Sequence, residues 1–406
     1  MSATDRATGD SSVGLTPSST DTTSSIRGDG CGLGKVTALR TASYMTDPVC
    51  QARASWIRSY IVKDLHPHAY RVTNLFRQTL LLSKAAVCAL GSPLSLLAMG
   101  VRYAVSRFQK VPYVYRKGDA REKTIQDRKF TLLSMNICYI PGGFEISDGG
   151  VISSPKRIQK ISEKILEKNA DVVCLYEVFD IHTALDLIEK MKKEYAHFYF
   201  SMGTRVVGPP SGIFAATKFA VDNPTFTPFP QEALDGRAKK SGKGIFSFDI
   251  DKSARVFATH MGHSEVPAKP TPGEVKARQA QMDIMMQLVK KIGPEGRVVV
   301  GDLNLDDDEF KRADWSKSFV KGDTYTTEKT WDGDEYCAKL MQKEVSGPLN
   351  LDHSMIVKGT AESIVTELVP TGYDAKVISK KALSDHKGLM SIITLLPRNH
   401  KTGDAL

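Results

Sequence analysis

Residues from about 126 to 398 predict an α/β catalytic domain, with a polar tail and a basic appendage before it. Two observations carry that expectation. Apolar runs of strand length alternate with amphipathic helical segments, and polar residues close those runs one after another. Phe130 to Met135 reads as a buried strand ending at Asn136. Ser153-Ser154-Pro155 is a helix start, a serine cap with proline in the first turn, and Ile158, Ile161, Ile165 and Leu166 give its apolar stripe. Asp171 to Tyr176 is the next strand, with Glu177 at its end, and a helix follows over about 181 to 195. Arg255 to Thr259 reaches His260, and a helix from about Gly273 to Ile292 leads into Arg297 to Val300, which delivers Gly301-Asp302-Leu303-Asn304. The last strands run from about Leu351 to Val357 and from Gly388 to Leu396. A sheet holds strand ends rigid while loops open them to ligands, so this recurrence predicts one composite site.

The remainder is organised differently. Residues 1 to 45 form a Ser/Thr-rich tail whose first thirty positions are expected to be disordered; they contain no apolar run of the kind a classical signal peptide needs. Residues 46 to 125 form the appendage, and 399 to 406 a short tail. Within the appendage Leu80 to Val105 is apolar, with Lys84 and Arg102 bracketing 17 uncharged residues that Gly91-Ser92-Pro93 interrupts. Seventeen is the lower limit for crossing a bilayer, and the proline disfavours one straight span. The expectation is a membrane hairpin over 80–105, or a buried helix pair. Arg102, Arg107, Lys110, Arg116 and Lys117 favour anionic headgroups beside it, hence a membrane-associated protein or one exported to a membrane target.

Composition sets broad bounds. The 406 residues are 41% hydrophobic and 25% charged, ordinary for a globular chain, and the formal charge of +9 suits a polyanionic partner, a membrane surface or, second, nucleic acid. The six cysteines show no CxxC pair and no zinc-ligand spacing. Cys174, inside Val172-Val173-Cys174-Leu175, reads as a small buried hydrophobe.

Phosphodiester hydrolysis needs a cation to neutralise phosphate, a positioned water and donors for the transition state. Glu177 and Asn136 offer hard oxygen ligands suited to Mg²⁺. Asp302 and Asn304, two apart on an extended segment, are expected on one face, the aspartate to orient or deprotonate water and the amide to donate to a phosphoryl oxygen. His260 and His386 supply imidazoles, the latter beside Asp385. Taken singly, each has an ordinary structural explanation; their order and spacing together do not.

The segments Ser134–Ile137 (SMNI), Tyr176–Phe179 (YEVF), Ala258–His260 (ATH), Gly301–Asn304 (GDLN), Leu351–Ile356 (LDHSMI) and Ser384–Leu389 (SDHKGL) occur in the order found in the endonuclease/exonuclease/phosphatase superfamily, which this chain resembles over about two thirds of its length. The resemblance implies a DNase I-like four-layer α/β sandwich, two packed, mostly antiparallel β-sheets flanked by helices. It implies Mg²⁺ dependence, with Mn²⁺ as the alternative, and the roles just given. Glu177 would be the principal metal ligand with Asn136 and Asp385 nearby, and Asp352 would orient His386. Tyr176-Glu177-Val178-Phe179-Asp180 and Thr330-Trp331-Asp332 are similar to segments of the neutral sphingomyelinase branch, although Tyr176 replaces that branch's asparagine. That likeness implies hydrolysis of sphingomyelin, or a related phospholipid, to ceramide and phosphocholine. Gly242-Lys243-Gly244 resembles the branch's lysine switch, where the lysine pairs with an aspartate five residues earlier; here that position is Ala238, and Asp235 stands eight residues upstream. Either the loop carries an insertion or the switch is altered. An inositol-phosphate or lipid phosphatase, a DNase-like nuclease and a catalytically degenerate membrane-binding module are the competing readings.

Overall fold

A computed structural model describes residues 32–65, 69–139, 154–205, 207–291, 294–322, 328–331, 347–372 and 383–397. Ser153, Asp332 and both expected tails, apart from the stretch beginning at Gly32, lie outside them. Among the described residues thirteen strands form two sheets. The first contains β1 (Val114–Lys117), β2 (Lys129–Tyr139), β3 (Val172–Val178), β4 (His197–Phe200), β5 (Phe214–Thr217), β12 (Ser363–Val369) and β13 (Gly388–Thr394), in the order β1-β4-β5-β3-β2-β13-β12. The second contains β6 (Val221–Pro228), β7 (Gly244–Ile250), β8 (Ala254–His260), β9 (Gly296–Asp302), β10 (Phe319–Lys321) and β11 (Asp352–Val357), in the order β10-β11-β9-β8-β7-β6. Only β2 with β3 and β8 with β9 run parallel. The expected mostly antiparallel sandwich is the architecture of this chain.

Side-chain alternation builds the layers. Phe130 and Leu132 of β2 and Val172 and Cys174 of β3 face Phe246, Phe248, Val256, Ala258, Val298 and Val300 across the gap between the sheets. The intervening Leu133, Met135, Val173 and Leu175 point outward, onto α4 (Ser154–Lys168) and α5 (Ile181–Met191). Ile245, Phe257 and Val299 likewise meet Met282, Met285 and Val289 of α6 (Pro272–Val289) on the other side. The stripe Ile158, Ile161 and Ile165 is fully buried, as expected. Asp180 caps α5 through Thr183 N, and Thr271 with Glu274 forms a capping box at α6. Burial holds the Cys174 thiol in its neutral form.

The appendage departs from expectation in three ways, the first being that Val114–Lys117, inside the 46–125 segment, form β1 at the edge of the first sheet. Helix α1 (Gly32–Leu65) begins inside the segment assigned to the tail, because Val36, Leu39 and Ala42 give it a buried stripe. Helices α2 (Arg71–Ala89) and α3 (Ser92–Phe108) do break at Leu90-Gly91, but they form an elbow bent by 51°, not a hairpin. Leu90 and Gly91 keep right-handed backbone angles and bond to Val87 O and Cys88 O, so the chain passes through a tight turn of helix without reversing. Both helices run back along α1, where Pro48 seats against Gly91; a Cβ there would lie 2.7 Å from the proline.

Helix α6 also carries Arg278, fully buried, whose Nε and Nη2 pair with Glu309 of α7 (Asp307–Arg312) at 2.9 and 2.6 Å. Arg278→Ala strands the Glu309 carboxylate and is expected to cost about 3–5 kcal/mol. The measurement is the shift in the urea midpoint; a shift below about 1 kcal/mol would contradict the pair's structural role.

Candidate active site

The polar residues lie where the core between the sheets ends. His260 follows Val256 and Ala258 in the period-two register of β8; Asp302 follows Val298 and Val300 on β9, and Asp352 precedes Ser354 and Ile356 on β11. Asn136 continues Phe130, Leu132 and Ser134 of β2. All four side chains therefore project between the sheets, one step beyond the apolar layer. Tyr176 closes that layer from below, fully buried, its hydroxyl accepting from Ser134 Oγ at 3.3 Å.

Glu177 needs a different device. Strict alternation after Val173 and Leu175 would turn it onto the helix side, but its φ is +62°. The left-handed turn sends Val178 into the helix-side core instead and leaves the carboxylate 22% exposed at the rim. Gly212, itself at φ +78°, permits this: a Cβ there would come within 2.6 Å of the Phe179 ring and 3.2 Å of Glu177 Cα.

Two buried hydrogen bonds join the sheets at the site, and Ser354 Oγ to Ser391 Oγ at 2.7 Å joins them deeper in. Asn136 Nδ2 donates to Asp302 Oδ2 at 2.9 Å, while its Oδ1 accepts from Cys138 N at 2.8 Å. His386 Nδ1 donates to Asp352 Oδ2 at 2.7 Å, the orientation expected for that pair. The loop before β13 is stapled by Ser384, whose Oγ donates to Asn136 O at 2.7 Å and accepts from His386 N at 3.2 Å.

Asn304 does not share an extended face with Asp302. Its φ is +52°, its N–H donates to Asp302 Oδ1 at 3.0 Å, and its Nδ2 reaches Met261 O at 3.3 Å. The Asp302 carboxylate accepts the backbone two residues on, which bends the segment back toward the site. Lys243 is buried, donating to Met261 O at 2.7 Å and reaching His260 O at 3.4 Å, so its ammonium caps the exit of β8 beside His260. Asp235 caps the following 3₁₀ turn and lies against Gly273 at the start of α6.

The two histidines are driven to opposite states. Burial works against a charged His386, but the Asp352 and Asp385 carboxylates outweigh it and hold the ring protonated well above the usual range. Burial, reinforced by Lys243 and His263, keeps His260 well below that range and neutral. Its Nε2 lies 3.8 Å from Glu177 Oε1 and 3.7 Å from Asp302 Oδ2, so with an uncharged ring these are approaches, not ion pairs. Burial and the Asp352 charge push Asp302 up to about 7; burial and Asp385 raise Glu177.

Such crowded carboxylates are the setting that a bound dication relieves. Glu177, Asp385 and the second lone pair of Asn136 Oδ1 supply the hard oxygen donors Mg²⁺ prefers, and Glu177 and Asp385 keep a solvent-facing edge. Ligand atoms of Asp302, Asp352 and His386 also lie within 4.8 Å of one another. There, however, His386 Nδ1 and Asp352 Oδ2 already bind each other and all three residues are buried, which leaves the partly exposed Glu177 and Asp385 side as the better cation site.

No protein-family model matches the sequence, and no curated protein does. Solved structures do. The crystal structure of SmcL aligns over 66% of this chain and all of its own, at 19% identity and a TM-score of 0.53. A beta toxin variant from Staphylococcus aureus with bound magnesium ions aligns over 65% and 99%, at 21% identity and 0.53. Sphingomyelinase C from Streptomyces griseocarneus aligns over 65% and 98%, at 16% identity and 0.50. The fold is theirs. The expected DNase I-like sandwich stands.

In the sequence Thr330 stands out only as part of Thr330-Trp331-Asp332, and nothing announces what it, Ser384, Arg278 and Gln281 support. Thr330 Oγ1 accepts from Leu351 N and Asp352 N at 3.0 and 3.1 Å, and Thr330 O accepts from Lys387 N at 2.7 Å, so this threonine sets both halves of the Asp352–His386 pair. Ser384 was visible only as part of SDHKGL. Arg278 Nη1 donates to Gly262 O and Ser264 Oγ, and Gln281 Oε1 accepts from Gly262 N, fixing the loop after His260 from α6. Such buried polar residues on amphipathic helices carry no local signal of function.

Thr330→Val keeps the shape and removes the acceptor; a loss of about 10–100-fold in turnover is expected, with circular dichroism unchanged. Unaltered turnover would remove Thr330 from the positioning apparatus. Magnesium, binding only the folded chain, is expected to raise the melting temperature of the wild type and not of Glu177→Gln. Equal shifts in both would place the cation elsewhere.

Proposed function

We propose that the chain is a divalent-metal phosphodiesterase acting on a membrane phospholipid, with sphingomyelin as the lead substrate. The single observation behind this reading is the convergence of Asn136, Glu177, His260, Asp302, Asp352, Asp385 and His386 on one rim between two sheets. A cation held by Glu177, Asn136 and Asp385 would neutralise phosphate charge and stabilise the departing alkoxide. Asp302, fixed by Asn136 and by Asn304 N–H, is placed to orient a water and take its proton as it attacks phosphorus. His386, with Nδ1 committed to Asp352, directs its Nε2–H to a phosphoryl oxygen, and the neutral His260 adds a second donor. Lys243 sets the backbone beneath His260. For sphingomyelin the products are ceramide and phosphocholine. The segments around Glu177 and Thr330, and the likeness to a sphingomyelinase C, support the lipid branch over a nuclease.

Glu177→Gln and His386→Ala are each expected to lower hydrolysis by at least about 10²–10³-fold without loss of fold. Full activity in either purified variant with Mg²⁺ would defeat the proposal. A panel of sphingomyelin, phosphatidylcholine, phosphoinositides and plasmid DNA, with EDTA controls, sorts the substrate. Phosphocholine release supports the lead reading; inorganic phosphate or strand nicking moves it to a phosphatase or nuclease, and silence throughout points to a binding module.

A further inference from the structure

The appendage is built inside-out for a bundle in water. Small residues dominate what it buries, Ala42, Ala54, Ser55 and Ser59 on α1, Ala85 on α2 and Ala98 on α3, with Ile57 and Val62 of α1 beside them, while the Leu and Phe of α2 and α3 turn outward. Val72 is 78% exposed, Leu75 and Phe76 64%, Leu90 81%, and Leu96 and Leu97 70% and 60%. Among the described residues of the catalytic domain, only Val207, Val320, Val365 and Ile392 are large, apolar and comparably exposed. Small residues between helices with large apolar ones outside is the pattern of packing in lipid.

Charge identifies what covers this face. From Leu65 to Gly118 there is no acidic residue, and there are eight basic ones: Arg71, Arg77, Lys84, Arg102, Arg107, Lys110, Arg116 and Lys117. A second copy of the chain would set these cations against one another. A bilayer rich in anionic lipid meets both the apolar face and the charge.

Geometry decides how it docks. No single described helix is long and apolar enough to cross a membrane, and the α2–α3 pair is bent by 51°. Arg77, Lys84, Arg102 and Arg107 lie within the two helices, where a span would bury them. Both helices are also laid along α1, which is tied to the segment entering β1 by Lys35 to Val111 O and Tyr113 O, and to the catalytic domain by Ser43 to Asp180.

We infer that α2 and α3 lie in the plane of an anionic membrane surface as a monotopic dock, the elbow at Gly91 following the interface and α1 fastening it to the enzyme. Vesicle binding is read without substrate turnover, so the inference stands or falls apart from the hydrolysis.

The test is co-sedimentation of the full chain with vesicles that contain no sphingolipid, of phosphatidylcholine alone and with phosphatidylserine added. The wild type is expected to bind the phosphatidylserine vesicles, weakly the neutral ones, and less as salt rises. Leu75→Glu/Leu97→Glu is expected to lose at least about ten-fold in binding, and so is Arg77→Gln/Lys84→Gln, which leaves the apolar face intact should the first pair disturb folding. Leu97→Trp should show a blue-shifted emission on phosphatidylserine vesicles. Binding that ignores phosphatidylserine, or that both double variants retain, overturns the inference. So does self-association abolished by Leu75→Glu/Leu97→Glu in a chain that binds no vesicles, which would assign the face to a second copy.

Discussion

The site depends on two hydrogen bonds that cross from one sheet to the other, Asn136 to Asp302 and His386 to Asp352. Apolar side chains hold the sheets together over most of their area, but they fix spacing better than register. At the open end of the sandwich these polar pairs take over, and a directional bond between buried groups is costly to misplace. Each ties a residue of the first sheet or the loop entering it to one of the second. The two sheets therefore cannot slide without breaking the arrangement that orients the histidine and the water-facing aspartate.

That arrangement carries an electrostatic cost. Asp302, Asp352 and Glu177 lie close together in a largely dry layer, and Asp302 is pushed up to about 7 as a result. Part of the strain is answered internally, since His386 is held as a cation by the same carboxylates that crowd Asp302. His260 stays neutral, because burial, reinforced by Lys243, prevails there. Two imidazoles at one site thus differ in charge because burial prevails at His260, whereas Asp352 and Asp385 outweigh it at His386, a separation that gives acid–base sites their division of labour. The remaining excess of negative charge, on the Glu177 and Asp385 side, is what a dication would offset.

Most of the sandwich was legible because alternation of apolar residues is local and the polar terminators recur at strand ends. Asn136, His260 and Asp302 obey that periodicity and close their strands; Asp352 obeys it too, but the family resemblance, not the periodicity, singled it out. Glu177 and Asn304 break it with positive φ values; asparagine adopts that conformation readily, whereas nothing about a glutamate announces it. The elbow at Gly91 was misread for a similar reason: glycine beside proline permits a reversal, and only packing against Pro48 and the length of α1 decides that the chain continues. The start of α1 at Gly32 was hidden because its apolar positions become a stripe only once the catalytic domain supplies a surface. Thr330 and Ser384 act through hydroxyls that meet backbone distant in sequence, contacts with no local pattern.

The same long-range logic joins the appendage to the chemistry. Asp180 stands three residues after Glu177, caps α5 through Thr183 N, and accepts the Ser43 hydroxyl of α1 at 2.6 Å. Between them Phe179 packs over Gly212 and beside the His260 ring, with centroids 6.2 Å apart. The strained backbone at Glu177 is thus held from the α5 cap, from the β5 approach at Gly212 and from α1. A left-handed glutamate persists only where its surroundings over-determine it. Helix α1 is one of those surroundings, and it is also the helix against which α2 and α3 are laid. The appendage therefore belongs to the frame of the site, not to a separate module strung before it.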